Sequence, residues 1–224
     1  TFPLTSIMAK IELIHGDCLE GMKKYPDKHF ELAICDPPYG IGDFNIKTRL
    51  DKHGNRIITK ALSVEWNDDI PSKNYFLEIT RVSQNQIIWG ANYYNCFNNG
   101  GALVWHKGNI QDLFSQCEIA SLSFQQKVDY IKIEWQSGFI RKIYETGYYP
   151  IHPCQKPVKL YEWLLKNYAK QGDKILDTHG GSMSIAIACY NLDFDLTLFE
   201  LDEDYYKAGV ARFEEHKRQQ RLFP

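Results

Sequence analysis

The stretch KILDTHGGSMSIAIACYNLDFDLTLFE, residues 174–200, carries the pattern that decides the fold. The apolar run at 174–177 is typical of a buried strand, a glycine turn follows, and the apolar residues at 182–191 are typical of a helix. A second strand at 195–200 ends at Glu200. Strand, tight turn, helix and strand in this order predict a β-α-β unit, whose two strands run parallel in one sheet.

The same alternation extends over the rest of the chain. Strands are predicted at 9–16, 31–35, 86–90 and 102–107, two more within 117–135, and helices at 18–26, 74–83, 157–170 and from 203 onward. The length of 224 residues suits one α/β domain, and no apolar run approaches the roughly 20 residues of a membrane span. We therefore predict a single domain over residues 8–224, built on a doubly wound, largely parallel α/β sheet.

Charge and cysteine usage bear on the possible partners of the protein, on its compartment and on metal binding. The formal net charge is −2, which neither requires nor forbids a nucleic-acid partner, because a local basic face decides that question. The six cysteines are scattered, without a CxxC pair and without a His/Cys cluster at metal-ligand spacing. This pattern predicts a reduced, cytoplasmic compartment and no metal site.

Four acidic residues stand where predicted strands end: Asp17, Asp36, Asp177 and Glu200. In doubly wound sheets ligands bind outside the carboxyl ends of the strands, so these four side chains are candidates for one site. Any one of them alone is explained as well by a turn or a helix N-cap. Their sequence surroundings favour the functional interpretation.

The glycine turn indicates a nucleoside-containing cofactor. Gly180 and Gly181 allow a close approach of the backbone, and the following helix presents free N–H groups. Glu200 closes the next strand nineteen residues after Gly181, a spacing at which a carboxylate takes the hydroxyls of a ribose. No Gly-Lys-Ser/Thr follows, so the turn is not a P-loop.

The segment CDPPYG, residues 35–40, predicts a pocket for a planar aromatic amine. Pro37 and Pro38 make a stiff turn without backbone donors. The Asp36 carboxylate and the Pro37 carbonyl can accept both hydrogens of an amino group, and the Tyr39 ring offers a face for a base. The exocyclic amine of a nucleobase is a poor nucleophile, because its lone pair is delocalised into the ring. Two acceptors that favour a tetrahedral nitrogen would make this amine reactive enough. A base inside a duplex must first be swung out to reach them.

These residues resemble the amino-methylating DNA methyltransferases that use S-adenosylmethionine. DPPY is similar to the family's catalytic motif, and the other similar segments are IHGD ending at Asp17, IIWGANYY at 87–94, HPCQKP at 152–157, DTHGGS from Asp177 and FELDEDYY from Phe199. The catalytic motif precedes the cofactor loop, as in the β arrangement of the family. The resemblance covers nearly the whole chain.

The resemblance implies a Rossmann-like methyltransferase fold and direct methyl transfer, without a covalent enzyme intermediate or a metal. The implied catalytic residues are Asp36, Pro37, Pro38 and Tyr39. The implied residues for S-adenosylmethionine are Asp17, Lys156, Asp177, Thr178, His179, Gly180, Gly181, Ser182 and Glu200. An acid at the first position of the motif is similar to adenine-modifying members, so N6 of adenine is the expected target.

The cofactor loop departs from the family pattern, which usually reads Asp-Pro-Phe-x-Gly-Ser-Gly. Thr178, His179 and Met183 stand at three of these places. Met183 replaces a glycine, and it fits the loop if its φ is ordinary and its side chain packs away from the cofactor. Otherwise the enzyme is weakened or inactive. We expect the His179 ring to fill space beside the cofactor rather than to act as a base.

Two regions are candidates for double-stranded DNA. The polar stretch 43–60 carries more basic than acidic residues, and its basic members are Lys47, Arg49, Lys52, Arg56 and Lys60. A solvated surface loop is the competing explanation. Target recognition is expected in a small insertion at 108–150, because this range separates the two motif halves. The range is short, so either the recognised site is small or a second copy of the chain, a homodimer, contributes.

The carboxyl-terminal QQRLF, residues 219–223, resembles the short peptide by which bacterial replication-associated proteins dock on the sliding clamp. Gln219, Leu222 and Phe223 would be the anchors. The competing explanation is an amphipathic tail that folds onto its own core.

Three functions follow from the sequence. The first is an adenine-N6 DNA methyltransferase. The second is an enzyme of similar mechanism that acts on RNA or on a protein amide, against which the absence of the usual Asn at position 36 counts. The third is a DNA-binding module whose cofactor loop has decayed around Met183.

Overall fold

A computed structural model provides the structure of the chain. It describes residues 9–41, 49–50, 56–57, 69–96, 100–108, 115–135, 151–152 and 154–222. The described strands are β1 Ile11–His15, β2 Phe30–Cys35, β3 Arg49–Leu50, β4 Arg56–Ile57, β5 Ser83–Trp89, β6 Ala102–His106, β7 Cys117–Leu122, β8 Val128–Lys132, β9 Lys174–Asp177 and β10 Asp195–Glu200. The described helices are α1 Cys18–Met22, α2 Lys73–Val82, α3 Ala91–Tyr94, α4 Val158–Tyr168, α5 Ser184–Leu192 and α6 Glu203–Leu222.

Eight strands form one sheet in the order β1-β10-β9-β2-β5-β7-β6-β8, and β3 pairs with β4 separately. Of the strands described in the large sheet, β7 alone runs antiparallel to its neighbours, between β5 and β6. The other pairings are parallel. The prediction of a doubly wound, largely parallel α/β sheet is confirmed.

The two faces of the sheet carry separate apolar clusters, because side chains alternate along each strand. Leu32 and Ile34 of β2 belong to the cluster that includes buried residues of α4 and α5. Ala33 and Cys35 of the same strand belong to the second cluster, which includes buried residues of α1 and α2. Helices thus cover both faces, which explains why the central strands are nearly continuous apolar runs.

The parallel register brings the carboxyl ends of the strands to one edge. His15 of β1 lies beside Glu200 of β10, and Leu198 of β10 lies beside Asp177 of β9. Asp36 follows β2, which pairs with β9. The four acids singled out by the sequence are therefore at one edge of the sheet.

The range 108–150 is partly core. Its described residues include β7 and β8, which pair within the large sheet. Residues 109–114 and 136–150 lie outside the described part of the chain. The assignment of target recognition to this range stays a prediction, and β7 and β8 are at the same time structural strands of the domain.

No helix in the described residues is long and apolar enough to cross a membrane.

Candidate active site

A cleft of about 460 Å³ opens at the carboxyl edge of the sheet. It is lined by the residues that follow β1, β2, β9 and β10, together with residues 69–72 and 154–156. The DPPY turn and the glycine turn therefore share one cleft. We call the part around Asp177 and Glu200 the cofactor half, and the part around Asp36 and Tyr39 the base half.

The glycine turn is pressed against β10. The Gly180 N–H donates to the Phe199 carbonyl over 2.8 Å, and a Cβ on Gly180 would overlap the Leu198 side chain. Gly181 has a φ of +49°, and its N–H donates to Glu200 Oε2 over 2.7 Å. A side chain at position 180 would thus push the turn off the sheet, and the cofactor half would lose its shape.

Met183 meets one of the two conditions set by the sequence. Its φ of 56° lies in the left-handed region, which costs a non-glycine residue about 1–2 kcal/mol and explains why glycine suits this position. Its side chain is fully buried in the main apolar cluster and is absent from the cleft lining. Gly209 of α6 makes room for it, because a Cβ there would lie 2.8 Å from Met183 Cγ.

Two carboxylates of the cofactor half lack a cationic partner. Asp177 Oδ1 accepts the His179 N–H over 3.0 Å, and Glu200 accepts the N–H groups of Gly181 and Asp202. No lysine or arginine of the described chain forms an ion pair with either carboxylate. Burial raises the pKa of Asp177 to about 7 and also raises the pKa of Glu200. These groups suit a ligand that supplies a cation and hydroxyl donors.

Asp17 and His179 also line the cleft. Asp17 caps α1, since its Oδ1 accepts the N–H groups of Leu19 and Glu20 over 2.7 and 3.1 Å. Burial lowers the pKa of His179 to about 4, so its ring is neutral at neutral pH. Thr178 Oγ1 lies 2.9 Å from His179 Nδ1 and 2.7 Å from the Tyr75 hydroxyl. Tyr75 of α2 thus links Thr178 and His179 to that helix, and the sequence did not single out Tyr75.

The acceptors of the DPPY turn already have donors from the chain. The Tyr39 hydroxyl donates to Asp36 Oδ1 over 2.6 Å, and Lys156 Nζ donates to Asp36 Oδ2 over 2.6 Å. The Tyr94 hydroxyl lies 2.6 Å from the Pro37 carbonyl oxygen and 2.7 Å from that of Pro38. The base half is therefore satisfied by its own side chains.

The Tyr39 ring is held between neighbours. The Tyr93 ring stacks on it, with centroids 4.9 Å apart and planes at 15°. Gly90, in the left-handed conformation after β5, passes so close that a Cβ there would overlap the Tyr39 ring. The similarity of segment 87–94 to a segment of the family pointed to this region, but not to the individual contacts.

Lys156 lies at the base half. Its side chain is 4% exposed, and Nζ contacts Asp36 and, over 2.9 Å, Glu118 Oε2. Glu118 of β7 also pairs with Lys107 over 3.0 Å. Burial raises the pKa of Asp36 against the effect of Lys156, whereas Lys156 and Lys107 outweigh burial and lower the pKa of Glu118 to about 2. The role of Lys156 in cofactor binding stays a prediction, and the sequence missed Glu118 altogether.

The remaining site residues divide into described and undescribed ones. Ser182 lines the cleft, and its carbonyl accepts from Arg212 of α6 over 2.7 Å. Arg49 and Arg56 lie on β3 and β4, but their side chains are not described. Lys47, Lys52, Lys60 and Phe223 lie outside the described residues, as does the side chain of Leu222.

Gln219 is an exposed residue of α6 whose amide donates to Glu215 over 3.2 Å. The predictions of DNA contact and clamp docking stay predictions. In the described part of the chain, no group of three His, Cys, Asp or Glu side chains is arranged to hold a metal ion.

Comparison with known proteins agrees with this geometry. The model of the DNA methylase family matches residues 103–211. The DNA adenine methyltransferase YhdJ of Escherichia coli K12 is 21% identical over 250 residues, which cover 90% of this chain and 82% of that protein. The putative methylase YubD of the same organism is 24% identical over 211 residues, which cover 89% and 88%.

Solved structures share the fold. The PvuII DNA methyltransferase, described as cytosine-N4-specific, superposes with a TM-score of 0.60 at 14% identity and covers 94% of this chain and 91% of its own. TTHA0409 of Thermus thermophilus is a putative DNA modification methylase whose structure was solved with S-adenosyl-L-methionine. It superposes with a TM-score of 0.55 at 16% identity, and the match covers 93% of this chain and 96% of TTHA0409.

The sheet, the glycine turn and the strand-end glutamate define an S-adenosylmethionine-dependent methyltransferase. The DPPY turn beside them narrows the class to enzymes that methylate amino groups. The comparisons support an S-adenosylmethionine-dependent amino-methyltransferase, similar to the DNA methylases that modify N6 of adenine or N4 of cytosine.

Proposed function

We propose that the protein transfers a methyl group from S-adenosylmethionine to N6 of adenine in double-stranded DNA. The observation that carries the proposal is the shared cleft, which places the DPPY turn and the glycine turn within one enclosure. The cofactor would supply a methyl group on a positively charged sulfur. In the transfer the C–N bond would form as the S–C bond breaks, the S–C electron pair would stay on sulfur, and the proton lost from nitrogen would pass to solvent.

The cofactor half would hold the nucleoside and the amino acid ends of the cofactor. Asp177 is buried and forms no ion pair within the described part of the chain, and a bound ammonium group would favour its ionised form. Each Glu200 oxygen accepts one backbone N–H and retains capacity for a ribose hydroxyl. We assign further cofactor contacts to Asp17, His179 and the glycine turn, whereas the Met183 side chain leaves the cleft free.

The base half would hold the adenine. The amino hydrogens would bond to the Asp36 carboxylate and the Pro37 carbonyl, with the base against the Tyr39 ring. The carbonyl has a second lone pair beside the one used by Tyr94, but both oxygens of Asp36 already accept from side chains. Base entry therefore requires a donor to leave Asp36. A base paired in a duplex must leave the helix to reach this turn.

Adenine is favoured over cytosine by the acid at position 36 and by the relative named as a DNA adenine methyltransferase. The test uses three parallel reactions, each with the protein and methyl-labelled S-adenosylmethionine. The first contains duplex DNA, the second RNA and the third protein as the substrate. We expect label on duplex DNA, and 6-methyladenine after digestion to nucleosides. Label in 4-methylcytosine would correct the base, and label on RNA or protein alone would overturn the proposal.

DNA contact is proposed for the basic stretch that contains Lys47, Arg49, Lys52, Arg56 and Lys60, with recognition in 108–150 and a contribution from a second copy of the chain. Replacing the five basic residues by glutamine should weaken DNA binding and flatten its dependence on salt, because fewer counterions are released. An unchanged salt dependence would exclude this stretch as the DNA contact.

Clamp docking is proposed separately for Gln219, Leu222 and Phe223. Deletion of residues 219–224 should abolish binding to a bacterial sliding clamp and leave cofactor binding intact. Unchanged clamp binding would leave the segment as a tail of α6.

A further inference from the structure

Two carboxylates contact the ammonium group of Lys156. Asp36 Oδ2 accepts a hydrogen bond from Nζ over 2.6 Å, and Glu118 Oε2 lies 2.9 Å from the same nitrogen. The two acids come from different parts of the sheet, because Asp36 follows β2 and Glu118 lies on β7. The lysine side chain is 4% exposed, so its charge is held inside the protein.

The two contacts differ in kind. Glu118 Oε2 is shielded from solvent and makes no hydrogen bond of good geometry, although Nζ is within hydrogen-bonding distance. The other Glu118 oxygen accepts from Lys107 over 3.0 Å, which fixes the carboxylate. Glu118 Oε2 is therefore less well engaged by Lys156 than Asp36 Oδ2 is, while Asp36 uses both of its oxygens. A shielded acceptor without a well-aligned donor is uncommon in a folded protein.

The difference between the two Lys156 contacts matters when a base enters the cleft. Asp36 must give up a donor before it can accept an amino hydrogen of the base. Because Nζ is shielded from water, its departure from Asp36 would leave an uncompensated charge unless another acceptor receives it. Glu118 Oε2 is such an acceptor at 2.9 Å, and a small displacement of Nζ toward it would lengthen the contact with Asp36 and improve the alignment with Glu118.

We propose that Glu118 is a positioning residue that takes over the Lys156 hydrogen bond when the target amino group enters, which frees Asp36 Oδ2 for the base. This proposal rests on the function proposed above. Lys156 remains near Asp36 after the exchange and keeps it ionised by charge alone. Glu118 itself is absent from the lining of the cleft, so it would act through Lys156 and not by touching a ligand.

Glu118→Gln should affect kcat differently in the wild-type and Lys156→Met backgrounds. In the wild-type background, Glu118→Gln leaves Asp36 as the sole carboxylate for Lys156, so Asp36 stays blocked and kcat falls. In a Lys156→Met background there is no ammonium to release. There the loss of the Glu118 charge only lowers the pKa of Asp36, because Glu118 raises it. Glu118→Gln should then be neutral or favourable.

The charges around Asp36 set the sign of the pH readout. Lys156 and the Tyr39 hydroxyl favour its ionised form, and Glu118 opposes it. Asp177 also opposes it, and the Tyr94 and Tyr161 hydroxyls face the same group. The acid limb of kcat should therefore move to lower pH in Glu118→Gln and to higher pH in Lys156→Met.

The test is a double-mutant cycle of Glu118→Gln and Lys156→Met, with kcat for adenine methylation measured from pH 5 to 9. We expect Glu118→Gln to lower kcat about tenfold or more in the wild-type background and not to lower it in the Lys156→Met background. Cofactor affinity from calorimetry should stay unchanged in Glu118→Gln, because Glu118 is absent from the cleft lining. Asp129→Asn is the matched control, since Asp129 also accepts from a lysine and a tyrosine but lies outside the cleft.

Each outcome decides between distinct conclusions. Equal losses from Glu118→Gln in both backgrounds, or a loss in Asp129→Asn of the same size, would show a purely structural role and overturn the proposal. Complete inactivity of Lys156→Met up to pH 9 would overturn it too, since Lys156 would then act directly. If Glu118→Gln fails to fold, Glu118→Asp must restore activity. A wild-type protein that methylates no adenine would instead refute the function on which the proposal rests.

Discussion

The two halves of the cleft satisfy their acids in opposite ways. In the cofactor half, the donors to Asp177 and Glu200 among the described residues are backbone N–H groups, and burial raises the pKa of both carboxylates. In the base half, Asp36 accepts from the side chains of Lys156 and Tyr39. The cofactor half is thus shaped for a ligand that brings a cation. The base half is closed on itself and must rearrange to admit its ligand.

The largest effect is expected from breaking the base half alone. Asp36→Ala removes the acceptor of the amino hydrogens, and methyl transfer should fall about 10²–10³-fold, the range for loss of one positioned hydrogen-bonding group. Calorimetry should show cofactor affinity within a few-fold of wild type, because Asp36 belongs to the other half. Comparable losses in affinity and kcat would show that the two halves are not separable.

The second effect concerns the shape of the cofactor half. A methyl group in Gly180→Ala would overlap the Leu198 side chain, and overpacking of this kind costs about 1–3 kcal/mol. We expect a lower midpoint in urea unfolding and a loss of cofactor affinity. The double variant Gly180→Ala with Leu198→Ala makes room for the methyl group and should regain part of the affinity. No regain would place the constraint elsewhere in the turn.

The third effect is a pH dependence confined to the cofactor half. Asp177 has a pKa of about 7 in the folded protein, so it is increasingly protonated below pH 7. A cationic ligand prefers the ionised form, and its affinity should fall up to about tenfold per pH unit as the pH drops below 7. Calorimetry in Asp177→Asn should show weak binding without this dependence. The same slope in Asp177→Asn would assign it to another group.

Protonation of Asp177 has opposite effects on stability and on cofactor binding: it should raise the stability of the ligand-free protein and lower its affinity for the cofactor. The folded pKa of Asp177 lies above its unfolded value, so the folded state binds a proton more tightly. The ligand-free protein should therefore gain stability as the pH falls from about 7 to about 4. Asp177→Asn should unfold at higher urea than wild type at pH 8, although it binds cofactor poorly.

The smallest effect on binding is expected at Met183. Met183→Gly relieves a left-handed conformation worth about 1–2 kcal/mol. It also removes a fully buried side chain, and cavity formation of that size costs about 2–5 kcal/mol. Urea unfolding should show a net loss of stability, while cofactor affinity changes less than threefold. A large gain in affinity would mean that Met183 distorts the cofactor half.

The sequence predicted the parts that depend on local pattern. Alternating strands and helices follow from apolar periodicity, and the acids at the strand ends follow from the strand boundaries. The glycine turn was recognisable because Gly180 and Gly181 stand at a fixed distance from Glu200.

The contacts of the base half were not predictable in the same way. Lys156 meets Asp36 across 120 positions in sequence, and it meets Glu118 because β7 inserts antiparallel between β5 and β6. No local pattern specifies such a pairing. The sequence left the φ of Met183 open, and no local pattern shows that Gly209 makes room for its side chain.

The most direct test of the account is calorimetric titration of the wild-type protein with S-adenosylmethionine in the absence of DNA. A preformed cofactor half, intact despite Met183, requires binding with a Kd on the order of micromolar. Absence of detectable binding, with duplex DNA present as well as without it, would contradict the account and leave a DNA-binding protein whose cofactor loop has decayed.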